Sequence, residues 1–313
     1  MKRGVQVRVP ATSANLGPGF DTLGLALDWH DVVTARVVER TPTAEGMPTA
    51  RAAGRTTVEV SGEGAGVLPG DEHHLVARTM RETFDLLRVR ADELELRCEN
   101  SVPHGRGLGS SAAAIVAGVL AARALAAADT GQLPDDAVLA LAARIEGHAD
   151  NVAACLLGGL TIAWTSHQVP RAIRLEVHPE LRAIACVPEP PLATAAARAL
   201  LPAAVPHADA ARNAASAALI VEALTRRPEL LLDATHDLLH QQYRAPAMPD
   251  SLTLVAELRA RGLAAVVSGA GPSVVVLSTG ADDLASVVEV TGQGSWQVRQ
   301  LEVDHRGAVV ESM

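Results

Sequence analysis

A run of three glycines at alternate positions, followed by two serines and several alanines, is the segment best suited to chemistry. It reads PHGRGLGSSAA and covers residues 103–113. Glycine reaches left-handed backbone angles and lets a ligand approach the chain closely. The first N–H groups of a helix attract anions. The segment therefore predicts a phosphate-binding loop that needs no lysine, although a serine-capped strand-to-helix turn stays open for this segment alone.

A Rossmann-type glycine loop is the weaker alternative for the same residues. A pair of serines follows the glycines, and no acidic residue stands at a strand end about 20 residues further on. We therefore favour a phosphate loop of another kind.

Two further loops carry polar residues and glycines between apolar stretches. The first, PATSANLGPGFD at residues 10–21, holds Asn15 and Asp21, which could bind an ammonium group. The second, SGAGPS at residues 268–273, lies between two apolar strands and could donate backbone N–H groups to an anion. Taken alone, each is also compatible with a simple connection, an Asx-rich turn and a hairpin corner respectively.

Lysine is almost missing from the chain, since Lys2 is the only one. A P-loop needs a lysine after its glycines, and a protein kinase needs one on a strand. Both classes are therefore excluded, and any nucleotide must be held by arginine, histidine, backbone dipoles or a metal ion.

The composition excludes further functional classes of protein. The net charge of −9 argues against a general nucleic-acid binder. The longest apolar run, Ala112–Ala122, is 11 residues and too short to cross a membrane. The three cysteines form no CxxC pair, which fits a reducing cytoplasm and no disulfide framework.

A length of 313 residues suggests two domains, and we expect them at 1–168 and 169–313. Residues 41–56 are expected to form a surface excursion. The apolar spacing predicts both kinds of element. Strands are expected at 5–9, 31–38, 57–61, 94–98, 160–164, 181–187, 264–267, 274–277 and 296–303, and helices at 73–87, 110–128, 134–147, 209–226, 229–243, 251–261 and 281–290.

The three loops, in this order, resemble those of the GHMP kinases, a family of small-molecule kinases. PHGRGLGSSAA is similar to the nucleotide-phosphate loop of the family, and SGAGPS to its C-terminal glycine motif. PATSANLGPGFD, together with GHADNVAACLLGG at 147–159, resembles the members that act on L-homoserine. The resemblance runs from Val7 to Val276.

The resemblance implies an α+β fold of two domains with the active site in the cleft between them. The N-terminal domain would be like domain 2 of ribosomal protein S5 and contain a left-handed βαβ crossover, and the C-terminal domain would be ferredoxin-like. The resemblance also implies a homodimer, and we expect no nucleic-acid or membrane partner from the charge and the apolar runs described above.

The implied reaction transfers a phosphoryl group from ATP to L-homoserine with the help of Mg²⁺. Ser111 and Glu146 would hold the metal, although Glu146 is also compatible with a solvated helix end. The residues expected to bind ATP are His74, Pro103, His104, Gly105, Arg106, Gly107, Leu108, Gly109, Ser110, Ser111 and Ala112.

The substrate is a zwitterion and needs both signs of charge. By the family pattern, Asn15, Asp21, His148 and Asp150 would surround its ammonium group. Thr194, Arg198, Arg244 and Gly269 would surround its carboxylate, because arginine pairs with carboxylates in a bidentate way. Each arginine taken alone is also compatible with a helix surface.

Asn151 is expected at the catalytic position, with Arg198 and Arg244. Some family members carry an aspartate there, but an amide cannot accept a proton. The resemblance therefore implies transfer without a side-chain base, and phosphoryl transfer tolerates this because positioning and charge neutralisation dominate it.

Three alternatives stay open. The chain could phosphorylate shikimate or an isoprenoid precursor, or it could be a non-catalytic ligand-binding member of the same fold. A zinc site is a separate question. His236, Asp237 and His240 have i, i+1, i+4 spacing, so the two histidines could share one helix face. No third ligand joins them there, so we do not expect a zinc site.

Overall fold

Two β-sheets organise the chain. The computed structural model describes residues 3–38, 55–91, 93–130, 133–292 and 295–313. The strands of the larger sheet are β1 (Arg3–Ala14), β2 (Leu23–Val38), β3 (Thr56–Gly62), β4 (Glu93–Asn100), β5 (Leu160–Ser166), β6 (Val169–Leu175) and β11 (Val309–Ser312). Their order is β11-β1-β2-β4-β3, and β5 pairs with both β2 and β6. All pairs are antiparallel except β3 with β4.

Four helices cover the larger sheet: α1 (Leu75–Leu87), α2 (Ser110–Thr130), α3 (Asp135–Glu146) and α4 (Asp150–Leu157). By length and hydropathy alone, α2 could cross a membrane, but 67% of its apolar stretch is buried inside the protein. It packs against the other three helices and β1. The helix is therefore the centre of a core that is built mainly from alanine and valine.

The smaller sheet has the order β10-β7-β9-β8 and is entirely antiparallel. Its strands are β7 (Arg182–Pro188), β8 (Ala264–Val267), β9 (Val274–Ser278) and β10 (Trp296–Glu302). Its helices are α5 (Thr194–Ala199), α6 (His207–Thr225), α7 (Leu231–Ala234), α8 (Gln241–Arg244), α9 (Pro249–Ala260) and α10 (Asp283–Thr291). A second apolar cluster joins the two sheets, since Leu16 and Leu25 pack with Leu181 and Val275 in it.

The boundary expected after residue 168 falls inside the β5–β6 hairpin. The two sheets separate instead between Leu175 and Arg182. Strand β6 was not predicted because VPRAIRL contains a proline and two arginines and shows only intermediate or exposed residues. Strand β1 continues past Pro10, where its pairing with β2 shifts register, so the expected end of this strand was wrong.

The helix expected at 229–243 is broken. A short 3₁₀ turn and α7 end near Ala234, and α8 starts only at Gln241. The carboxylate of Asp237 accepts the N–H groups of Leu239, His240 and Gln241, and so replaces helix hydrogen bonds. Of the expected surface excursion at 41–56, residues 41–54 lie outside the described residues.

Candidate active site

The glycine loop before α2 has the conformation that its sequence predicts. Gly105, Gly107 and Gly109 all have positive φ, at 65°, 74° and 72°. Helix α2 begins directly afterwards at Ser110. A Cβ atom on Gly107 would overlap the carbonyl of Ser268, so this position needs glycine for space as well as for φ. The loop thus presents the N-terminus of α2 as a site for anions.

The three loops singled out in the sequence meet here. Thr12 N–H donates to the carbonyl of Leu108 at 3.0 Å, and Gly269 N–H donates to that of Ala14 at 3.0 Å. Ser268 Oγ donates to the carbonyl of Gly107 at 2.6 Å. The end of β1 is therefore fixed between the phosphate loop and the β8–β9 turn.

A cavity of about 100 Å³, called the inner cavity below, opens between these loops. Its wall combines residues from both sheets. It is lined by Ala14, Asn15, Gly105, Gly107, Gly109, Ser110, Ser111, Glu146, His148, Asp150, Asn151, Thr194, Arg198, Arg244, Gly269 and Ala270. All but Ala14 and Ala270 are residues that the sequence and its resemblance predict for the site.

The acidic wall of the inner cavity follows the end of α3. Gly147, with a φ of 93°, ends that helix and turns the chain toward α4. Ser111 Oγ donates to Glu146 Oε2 at 2.7 Å, and His148 Nδ1 lies 3.0 Å from Asp150 Oδ1. Burial raises the pKa of Glu146 against the opposing effect of the Ser111 hydrogen bond. The hydrogen bond to Asp150 raises the pKa of His148.

Arg244 forms the opposite, cationic wall. Its side chain is 1% exposed, and Nη1 donates to the carbonyl of Gly269 at 3.1 Å and lies 3.2 Å from His240 Nδ1. The guanidinium lies 5.4 Å from the centre of the Phe20 ring. Burial, followed by repulsion from Arg198, lowers its pKa. Within the described ranges no carboxylate forms an ion pair with it, and Nε has no hydrogen-bond partner.

Arg198 and Asp21 bind each other across the mouth of the site. Arg198 Nη2 lies 2.5 Å from Asp21 Oδ1, and Nη1 lies 3.1 Å from Oδ2. This pair raises the pKa of Arg198. Asn15 connects it to the interior, because its Oδ1 accepts Asp21 N–H at 2.9 Å and its Nδ2 donates to Gly269 at 2.8 Å. Arg198 reaches the inner cavity, whereas Asp21 does not line it.

A second hollow of about 230 Å³, the outer cavity, lies on the other side of Ser110 and Ser111. Its lining is mostly apolar: Val9, Asp31, Val33, Leu68, Pro69, His74, Leu75, Val76, Asn100, His104, Ser110, Ser111 and Ala114. His74 caps α1 by accepting Val76 N–H at 3.3 Å, and burial lowers its pKa. The two cavities share the serine pair, so an elongated ligand can run past the helix N-terminus from one to the other.

Four of the predicted nucleotide residues line neither cavity. Pro103, Leu108 and Ala112 are buried in the packing below the loop. Arg106 donates through its three guanidinium nitrogens to the carbonyls of Pro188, His104 and Glu189, and so ties the loop to the smaller sheet. These four residues therefore stabilise the conformation of the loop and do not line the space for a ligand.

The sequence did not indicate several residues that hold Arg244 and Asn151 in place. Phe20 and His240 hold Arg244, with their rings stacked 5.2 Å apart, and His240 Nε2 lies 2.8 Å from the carbonyl of Gly17. Thr12 bonds Asn151 from below the cavity. The motif H-x-x-Y-R contains His240, but nothing in its spacing showed a neutral ring that accepts from the arginine. A wider hollow of about 660 Å³ lies over polar residues of the larger sheet and shares no residue with the site.

Known proteins identify the class of this arrangement. The model of the GHMP kinase N-terminal domain matches residues 74–159, and that of the GHMP kinase C-terminal domain matches residues 208–290. The first match covers the phosphate loop, and the second covers strands β8 and β9 of the smaller sheet. The chain therefore belongs to the GHMP kinase family, and its full-length relatives group it with the homoserine kinases.

Those relatives match over almost their entire length. Homoserine kinase of Streptomyces avermitilis is 53% identical, with 98% of this chain and 95% of the relative covered. That of Clavibacter michiganensis is 49% identical, with coverages of 99% and 94%. The crystal structure of homoserine kinase from Cytophaga hutchinsonii has a TM-score of 0.82 at 25% identity, with coverages of 98% and 97%. The mixed α/β fold is thus the GHMP kinase fold.

A more distant structure shares the fold alone. Mevalonate diphosphate decarboxylase from Staphylococcus aureus has a TM-score of 0.67 at 15% identity, with coverages of 99% and 98%. The architecture by itself therefore does not select the substrate, and the side chains of the inner cavity must do so.

Proposed function

We propose that this protein transfers the γ-phosphoryl group of ATP to the side-chain hydroxyl of L-homoserine, which gives ADP and O-phospho-L-homoserine for threonine biosynthesis. The observation that carries the substrate choice is Arg244, a buried cation at the end of the inner cavity without a carboxylate partner in the described part of the chain. A buried charge is costly unless it is paired. The carboxylate of an amino acid is a suitable partner.

The opposite wall supplies the complementary charge for a zwitterion. Asp150 is 2% exposed and lines the cavity beside His148. We place the substrate ammonium group near Asp150 and its carboxylate near Arg244. Asp21 and Arg198, which bind each other at the mouth, offer one further charge of each sign. The substrate can exchange into this pair without changing the net charge of the site.

ATP is placed with its phosphates on the glycine loop and its base in the outer cavity. The loop points unpaired N–H groups of α2 at the phosphates. The mostly apolar lining of the outer cavity, with His74 and His104 at its wall, suits a flat aromatic base. Ser110 and Ser111 lie where the two parts of the nucleotide join.

Mg²⁺ is part of this proposal, and the residues fit it. Ser111 Oγ and Glu146 Oε2 lie 2.7 Å apart at the phosphate end of the loop. Both are oxygen atoms, which is the donor type that Mg²⁺ prefers. When bound, the ion neutralises phosphate charge. Burial raises the pKa of Glu146, and a cation bound beside it would favour the charged carboxylate.

The transfer itself needs no side-chain base in this proposal. The hydroxyl oxygen forms a bond to the γ-phosphorus while the bond to the β–γ bridging oxygen breaks, and that electron pair leaves with ADP. The hydroxyl proton passes to an oxygen of the transferred group. Asn151, Arg198 and Arg244 orient the substrate and neutralise charge, and orientation can contribute roughly 7–11 kcal/mol.

A direct assay tests the reaction. We expect ADP release to be far faster with L-homoserine than with shikimate or mevalonate, and mass spectrometry to find O-phospho-L-homoserine. The reverse order of substrates would favour another small-molecule kinase. ATP binding without a phosphorylated product from any amino alcohol would favour a non-catalytic binding protein.

Location and assembly complete the proposal. The buried free thiols of Cys98, Cys155 and Cys186 support the cytoplasm. The family resemblance alone supports a homodimer. Light scattering on the purified protein measures the oligomeric state, and the mass of a monomer would contradict the homodimer.

A further inference from the structure

A buried threonine outside both cavities forms a hydrogen bond with the amide of Asn151. Thr12 lies in β1, is 0% exposed and lines neither cavity. Its Oγ donates to Asn151 Oδ1 at 2.7 Å. We propose that Thr12 is a positioning residue for phosphoryl transfer, which acts by holding the amide nitrogen of Asn151 toward the inner cavity. This inference rests on the proposed function.

The hydrogen bond from Thr12 shows how the Asn151 amide is oriented. An amide side chain has one oxygen and one NH₂ group, and its oxygen is taken by the Thr12 hydroxyl. The NH₂ group is therefore at the free end of the side chain. In the described part of the chain Nδ2 has no hydrogen-bond partner, and Asn151 lines the inner cavity. The backbone N–H of Asn151 donates to Asp150 Oδ1 at 2.8 Å, so the main chain that carries this side chain is also held in place.

The phosphate loop fixes Thr12 in turn. Thr12 N–H donates to the carbonyl of Leu108 at 3.0 Å. A Cβ atom on Gly109 would overlap Thr12 Oγ1 and lie 3.2 Å from Asn151 Oδ1. Glycine at 109 therefore leaves room for the hydrogen bond between Thr12 and Asn151. Strand β1, the loop and the N-terminus of α4 meet at this one contact.

The chemical consequence is that Asn151 acts as a hydrogen-bond donor. An N–H group directed at the attacking oxygen holds that oxygen in line with the γ-phosphorus and leaves its proton on the side of the phosphoryl group. An amide turned the other way would instead accept a hydrogen bond from the hydroxyl and direct its proton away from the phosphoryl oxygens. In the structure the hydrogen bond from Thr12 to Oδ1 holds the first orientation, with Nδ2 toward the inner cavity.

Two substitutions separate the hydroxyl from the shape of Thr12. Thr12→Val keeps the shape and removes the donor, whereas Thr12→Ser keeps the donor. We expect Thr12→Val to lower kcat for homoserine by roughly 10²-fold, the effect of a small misplacement, with the KM for ATP changed less than about twofold. Thr12→Ser should retain most of kcat. Thr83→Val is the matched control, because Thr83 is equally buried and donates only to a carbonyl within α1.

A double-mutant cycle tests whether Thr12 acts through Asn151. In the Asn151→Ala background, Thr12→Val should have no further effect on kcat, because the amide it orients is gone. Unchanged kcat in Thr12→Val, equal losses in Thr12→Val and Thr12→Ser, or additive losses in the double variant would each overturn the inference. If the wild type does not phosphorylate homoserine, the proposed function fails instead. The same cycle applied to the free energy of unfolding then tests the hydrogen bond alone.

Discussion

Arg244 combines deep burial with the lack of an ion pair in the described residues. Its guanidinium is held by Gly269, His240 and the face of Phe20. These contacts keep the group in place but leave its charge without a counter-ion. Such an arrangement is expected where the counter-ion belongs to a bound molecule.

The substitution Arg244→Met tests this at the level of one side chain. We expect kcat/KM for homoserine to fall by a factor that corresponds to roughly 2–5 kcal/mol of lost transition-state stabilisation, because a buried substrate carboxylate loses its partner. The free energy of unfolding should not fall by the 3–5 kcal/mol typical of a broken buried ion pair. Steady-state kinetics and urea unfolding measure the two effects. Arg261→Met, at an exposed ion pair with Glu289, is the control, and unaltered homoserine kinetics in Arg244→Met would remove this residue from the site.

His148 predicts a pH dependence of stability. Its hydrogen bond to Asp150 raises its pKa above the usual 6.5. The charged pair therefore stabilises the native state fully below about pH 6.5, and this contribution is lost as the pH rises through the raised pKa. Urea unfolding of wild type and His148→Gln between pH 5.5 and 9 should give a stability difference that shrinks toward high pH. A difference independent of pH would contradict the assignment.

The phosphate loop is the element whose conformation depends most on its glycines. Gly107→Ala places a methyl group against the carbonyl of Ser268 at a φ of 74°. Gly262→Ala introduces the same kind of strain at a φ of 85°, with nothing within 4 Å of the added atom. Left-handed backbone alone costs about 1–2 kcal/mol. We expect Gly262→Ala to lose only this much stability, and Gly107→Ala to lose more and to bind ATP weakly, as calorimetry can measure. Equal effects would show that the close approach to Ser268 is unimportant.

The residues of the candidate site carry a clearer signal in the sequence than the elements that support them. Glycine at 105, 107 and 109 predicts positive φ, because few other residues adopt it. Arg198 and Arg244 were indicated by their similarity to motifs of the family. Thr12 gave no signal, since a buried threonine in a strand looks like any other. The break before α8 depends on three hydrogen bonds to the Asp237 carboxylate, which apolar spacing does not register.

At the scale of the whole molecule, one buried carboxylate lies where the chain returns from the smaller sheet to the larger one. Asp304 accepts the N–H groups of Arg306 and Gly307 at 2.8 and 2.6 Å and lies 2.7 Å from His30 of β2. Burial would raise its pKa, but the hydrogen bond from His30 and the two N–H groups outweigh this, and the pKa of Asp304 is lowered. The carboxylate thus contributes stability at neutral pH that is lost as the pH falls through this lowered value.

We therefore expect Asp304→Asn to lower the free energy of unfolding at pH 7 by about 3–5 kcal/mol, as for a broken buried pair. Asp28→Asn is the control, because Asp28 belongs to the same cluster but its side chain is 53% exposed. Chemical denaturation measures both variants. Similar losses for the two would mean that burial of the carboxylate is not what matters.

Strand β11 pairs with β1, and Met313 N–H donates to the carbonyl of Gly4 at 3.0 Å. The first and last described strands are therefore neighbours, although the whole smaller sheet lies between them along the chain. During synthesis, β1 cannot gain this partner until residues 309–312 have left the ribosome. A nascent chain that ends before residue 309 must leave one edge of β1 uncovered. The part of β1 from Val5 to Arg8 therefore lacks one of its two neighbouring strands until the whole smaller sheet has been synthesised.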